Sequence, residues 1–164
     1  MAAPPDFLAL LAELAARRVE FIVIGGVAAA IQGAPVVTFD LDLVHARTPD
    51  NLARLLDAFQ ALDAFYREQP QKRLRPDLSL LQGPGHHLLL TRHGPLDLLG
   101  SVTGGRTYDD LRAHSHEMQI GPGLRVCVLG LAVLIALKEE LGREKDRAAL
   151  PTLRRTLEER ERTV

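Results

Sequence analysis

Asp40 and Asp42 stand two residues apart inside an apolar run, VVTFDLDLV, and this spacing is the chain's first chemical feature. In a strand alternate side chains share a face, so the two carboxylates would project together, about 7 Å apart, while Phe39, Leu41 and Leu43 point the other way into a core. Carboxylates crowded onto one face repel each other unless a cation sits between them, which makes the pair a candidate divalent-metal site. Asp97, in PLDLL, is a third acid inside an apolar strand. If its strand lies beside the first, three carboxylates converge, an arrangement suited to one or two Mg²⁺ ions holding a nucleoside triphosphate for in-line attack. The plain alternative is that the acids decorate a solvated sheet face, as most aspartates do.

Upstream, the β-branched run ending in Ile24 meets Gly25-Gly26 and then VAAAIQ, a strand–glycine–helix passage whose free amides can receive a phosphate. It is neither a dinucleotide fingerprint nor a P-loop, because GxGxxG is absent and no GK[ST] follows. Lys138 falls in register with Leu131, Leu134 and Leu141, at the edge of an apolar helix face, where a lysine either snorkels to solvent or serves an anion near the core. Arg143 and Lys145 follow as exposed charges, and Asp146 is placed to pair within the helix turn. Arg67, Lys72, Arg73 and Arg75 form the one local basic cluster, a solvated loop or a surface for an RNA acceptor. His86-His87 and His114-x-His116 could offer imidazoles to zinc, but adjacent histidines on a strand face opposite ways and no Cys or Glu stands at a supporting spacing. Cys127, between Val126 and Val128, reads as a core residue without an activated thiolate.

These groups need a scaffold, and the patterning supplies one. Apolar spacing predicts helices over 5–18, from Thr48-Pro49 to 62, over 108–113 and 131–141, and a charged helix over 143–162 interrupted or restarted at Pro151. Strands are expected at 19–24 and 36–45, at 87–91 and 95–99 around Arg92-His93-Gly94, and at 117–120 and 124–128 around Gly121-Pro122-Gly123. The polar segment 66–85 reads as loop with one short strand near Leu78 to Leu81. This alternation predicts an α/β (α+β) domain with a mixed central sheet flanked by helices, residues 1–128, and C-terminal helices, 129–164, packed on it.

A chain of 164 residues can bury a core without staples, and its 46% hydrophobic content contains no membrane-spanning run. Twenty basic against 21 acidic residues, net charge −1, exclude a generally basic nucleic-acid coat. One cysteine precludes an internal disulfide and, with an amino-terminal MAAPPD that lacks a signal-peptide pattern, places the chain in a reducing cytoplasm away from membranes.

The string IGGVAAAIQG…VVTFDLDLV, with the later LDLL, resembles the signature of minimal nucleotidyltransferases in the DNA polymerase beta superfamily. Gly25-Gly26 matches its glycine pair, Asp40 and Asp42 its D-h-D motif and Asp97 its third acid, while Thr38 is the kept Thr of R-x-T-x-D-h-D. The tail VLGLAVLIALKEELGREKDRAAL is similar to the trailing helices of the bacterial toxin-type branch, with Lys138, Arg143, Lys145 and Asp146 matching. The resemblance spans about residues 19–150 and implies a nucleotidyltransferase fold and transfer of NMP from an NTP, such as ATP, to an acceptor hydroxyl. It further implies Mg²⁺ or Mn²⁺ held by Asp40, Asp42 and Asp97, the last as third ligand or as base. Gly25, Gly26, Thr38 and Lys138 would bind nucleotide. The implied partners are an RNA or protein acceptor and an antitoxin-like protein. Two positions depart from the pattern: Val36 replaces an Arg, and Gly26 replaces a Ser common in relatives. Val36 favours the alternative of a non-catalytic nucleotide-binding or toxin–antitoxin module with the same fold.

Overall fold

The computed structural model describes residues 3–164, so the first two residues of MAAPPD lie outside the described residues. Asp6 caps the first helix, α1 (Phe7–Ala16), by accepting from the Ala9 amide at 2.9 Å. The chain continues through β1 (Phe21–Ile24), α2 (Gly25–Ile31), β2 (Leu41–His45), α3 (Pro49–Leu62) and β3 (Phe65–Tyr66). It then forms α4 (Leu78–Leu81), the hairpin β4 (His86–Thr91) and β5 (Gly94–Leu99), and α5 (Tyr108–Arg112). A second hairpin, β6 (Ser115–Gly121) and β7 (Leu124–Leu129), precedes α6 (Leu131–Leu141) and α7 (Glu144–Thr163).

The seven strands among the described residues join one sheet in the order β3-β4-β5-β2-β1-β7-β6. β1 runs antiparallel to β2 and parallel to β7, and β2 runs parallel to β5, so the sheet is mixed and the domain is α/β. Period-two alternation divides the central strands sharply. Leu41, Leu43, Leu89, Leu96 and Leu98 are fully buried on one face, while Asp42 and Asp97 occupy the half-buried other face. Truncating one of those leucines to alanine costs about 2–5 kcal/mol, so the register of the acids is held by the core beneath them.

Buried polar side chains fasten the connections. Asn51, at the start of α3, accepts from the Glu20 amide at 2.7 Å and donates to the carbonyls of Glu20 and Ala46, tying the approach to β1 to the exit from β2. Gln32, just after α2, donates to the carbonyls of Ala28 and Leu129 and so links α2 to the end of β7. Among the described residues no helix is long and apolar enough to cross a membrane.

Four local expectations change. The strand expected from residue 36 begins only at Leu41, and Phe39 is 72% exposed rather than in the core. Thr38 explains the late start: its hydroxyl donates to the Asp40 carbonyl at 3.1 Å, folding the chain into a bend there. Leu78 to Leu81 is a helical turn instead of a strand, because Asp77 caps it through the Leu80 amide. Finally, α7 runs unbroken through Pro151. Pro151 and Arg147 lie on the exposed side, where solvent can take up the carbonyl that proline leaves without a helical donor.

Candidate active site

The site begins with the β1–β2 register, which sets Ile24 opposite Asp42 and brings the glycine after β1 against that aspartate. Gly25 has φ +66°, and a Cβ there would overlap Asp42 Oδ2, so conformation and space both demand glycine. A Cβ on Gly26 would stand 2.8 Å from Thr38 Cβ; the bend carrying Asp40 is therefore packed directly on the glycine turn. A serine at position 26 would crowd Thr38 in the same way.

The parallel β2–β5 pair places Asp42 beside Asp97. Burial, then the negative charges of Asp97 and Asp40, push Asp42 up to about 7 against the opposing pull of Lys138. Asp97 is only 18% exposed, whereas Asp40, ahead of the strand on the rim, is 42% exposed. Asp97 Oδ1 is a buried atom that receives no aligned hydrogen bond, although Nη1 of Arg67 lies 2.6 Å away. That guanidinium also reaches to 4.0 Å from Asp40 Oδ2. Among the described residues no three His, Cys, Asp or Glu side chains converge as a ready ligand group. Asp42 and Asp97 thus form a close pair of hard oxygen donors fitting Mg²⁺ or Mn²⁺, and Asp40 stands apart from them with Arg67 reaching toward it.

The opposite wall of the cleft is basic. α6 delivers Lys138 and ends at Gly142, whose φ of +60° turns the chain so that Arg143, Lys145 and Asp146 line the same cleft of about 320 Å³. Asp146 is fully buried and gathers both cations, with its carboxylate 3.5 Å from Lys138 Nζ and 2.6 Å from Arg143 Nε. The Arg143 contact chiefly, and Lys138 further, hold the Asp146 carboxyl below its ordinary range. Lys138 is 25% exposed. The cleft therefore faces acids on β2 and β5 with cations from α6 and α7, a division matching a cation on one side and an anionic chain on the other.

The basic cluster expected over residues 67–75 does not act as a unit. Arg73 and Arg75 both pair with Asp63, and Arg73 lies over the Phe65 ring at 4.3 Å. Arg67 alone turns into the acidic site, a role that sequence reasoning missed. His86 faces the cleft with Nε2 3.1 Å from the Ser101 carbonyl, while buried His87 meets the Tyr66 hydroxyl at 2.8 Å through Nδ1.

No family model matches the chain, and no curated protein matches it. Among solved structures it is similar to a Thermotoga maritima protein provisionally named a nucleotidyltransferase, with 20% identity and a TM-score of 0.59. That match covers 97% of this chain and 96% of the other. The likeness shows a shared fold: a mixed sheet with flanking helices, the architecture of a nucleotidyltransferase-like domain.

Proposed function

We propose that the chain is a minimal nucleotidyltransferase of the DNA polymerase beta superfamily, in its bacterial toxin-type branch. In this reading it transfers NMP from an NTP to an acceptor hydroxyl. The observation that carries this reading is the Asp42–Asp97 register pair facing Lys138 across one cleft. Asp42 and Asp97 would hold Mg²⁺ or Mn²⁺, with Asp40 swinging in from the rim as the third carboxylate. Such a cation supplies charge neutralisation of the triphosphate and stabilises the departing pyrophosphate. Lys138, fixed by Asp146, faces the phosphates, with the Gly25 and Gly26 amides and Thr38 shaping the floor beneath them. Asp97 serves either as third ligand or as acceptor of the attacking hydroxyl's proton. A cytoplasmic RNA or protein hydroxyl is the acceptor class this reading carries, with an antitoxin-like protein as partner.

The second reading, a non-catalytic nucleotide-binding or toxin–antitoxin module, draws on Val36 and on the guanidinium of Arg67 beside Asp97. Incubation with labelled NTPs, Mg²⁺, total RNA and cell protein separates the two. Covalent label lost in Asp42→Asn supports the enzyme; Mg²⁺-dependent NTP binding without transferred label supports the module. Absence of calorimetric NTP binding would refute both.

A further inference from the structure

Arg67 is the cation that already occupies the acidic side of the cleft. Its position is set by the sheet: its amide donates to the Leu88 carbonyl at 3.0 Å, its Nη1 to the Leu89 carbonyl at 3.1 Å, and Leu88 is the register partner of Asp97. The side chain is 26% exposed, and Nη1 stands 2.6 Å from Asp97 Oδ1 with Nη2 4.0 Å from Asp40 Oδ2. A guanidinium keeps its charge at all working pH values, so deprotonation of the arginine never removes this attraction.

Resting on the cation site of the proposed function, we propose that Arg67 is a resident counter-ion that makes divalent-cation binding conditional on nucleotide. A divalent ion on the acid pair competes with Arg67 for Asp97 and is repelled by the guanidinium beside it. Binding of the ion alone is therefore weak. A triphosphate brings the negative charge that the displaced guanidinium can pair with, so ion and nucleotide enter together with positive coupling. Arg67 is here a positioning residue: it governs when the acids become available.

The test measures Mn²⁺ binding to the full chain, alone by the loss of the free-ion electron paramagnetic resonance signal and, with a non-hydrolysable ATP analogue, by equilibrium dialysis against a buffer holding the same analogue and Mn²⁺. Arg67→Gln removes the charge but keeps an amide donor for the Leu89 carbonyl; Arg67→Lys keeps the charge. The expected result is Mn²⁺ binding without nucleotide at least roughly tenfold tighter in Arg67→Gln than in wild type, with Arg67→Lys near wild type. The enhancement of Mn²⁺ affinity by the analogue should shrink by a similar factor in Arg67→Gln. Equal or weaker Mn²⁺ binding in Arg67→Gln overturns the inference and leaves the cation site standing. Absence of Mn²⁺ binding in every variant overturns both. In the unmutated chain, ¹⁵N-arginine spectra give a reading independent of how the variants fold. The Arg67 Nε resonance moves when Mg²⁺ and the analogue are added together, and an unmoved resonance in the loaded protein overturns the inference.

Discussion

Asp42 and Asp97 are direct partners in the parallel β2–β5 ladder, so a single alignment puts both carboxylates on the same face. Because burial and the neighbouring Asp97 push the Asp42 carboxyl up to about 7, a cation bound there competes with a proton. Mn²⁺ affinity should fall roughly tenfold per pH unit below that value and level off above it. Titrations at several pH values check this, and a flat profile would remove Asp42 from the ligand set.

The same crowding has a stability consequence. Asp42→Asn relieves repulsion that Arg67 and Lys138 offset only in part, and it should stabilise the metal-free protein by about 1–2 kcal/mol above neutral pH. Urea unfolding reads the gain, and calorimetry with Mn²⁺ and nucleotide should show binding lost in the same variant.

Gly25→Ala should destabilise the fold by about 1–3 kcal/mol, since alanine is strained at φ +66° and its methyl would overlap Asp42. Nucleotide affinity should drop with it. A wild-type melting temperature in this variant would show that the turn is not built as described.

His45 predicts an acid-sensitive fold. It is fully buried, with Nε2 3.4 Å from the Leu81 carbonyl and Nδ1 unpartnered, and burial lowers its pKa from 6.5 to about 4. The unfolded chain thus takes up the proton first as pH falls through 6.5, and stability is lost progressively until the folded form also protonates near 4. The contribution is at most roughly 3 kcal/mol. Urea unfolding from neutral pH downward should show this loss in wild type and a smaller one in His45→Gln.

Asp146→Ala frees Lys138 and Arg143 from their shared anchor. We expect a stability loss of about 1–3 kcal/mol, because both cations can still turn to solvent, and weaker nucleotide binding. Lys138→Met should weaken nucleotide binding with a smaller effect on the fold; unchanged nucleotide affinity in both variants would remove the basic wall from the site.

Elements whose signals are local were legible from sequence. Thr48 before Pro49 marks the start of α3, and the α6 boundaries follow from its leucine spacing and Gly142. The D-h-D alternation and the lone acid in β5 likewise pointed to one face. What escaped was set by contacts distant in sequence or by competing caps. Arg67 reads as one charge in a polar stretch, and only the β3–β4 pairing turns it inward. Phe39 looked like a core residue by alternation, but the Thr38 bend interrupts the strand before the alternation begins. Leu78 to Leu81 reads as a strand from its apolar run, whereas the Asp77 side chain, by capping the Leu80 amide, makes it a helical turn.

The β2–β5 pairing also bears on how the molecule reaches its native state. Strands distant in the chain must dock in parallel, and the register that completes the sheet drives two like charges together. Assembly of the sheet centre is therefore opposed by the groups that make the site useful. Refolding should therefore accelerate with Mn²⁺ and nucleotide present, because a cation between the two carboxylates offsets the charge that this register brings together.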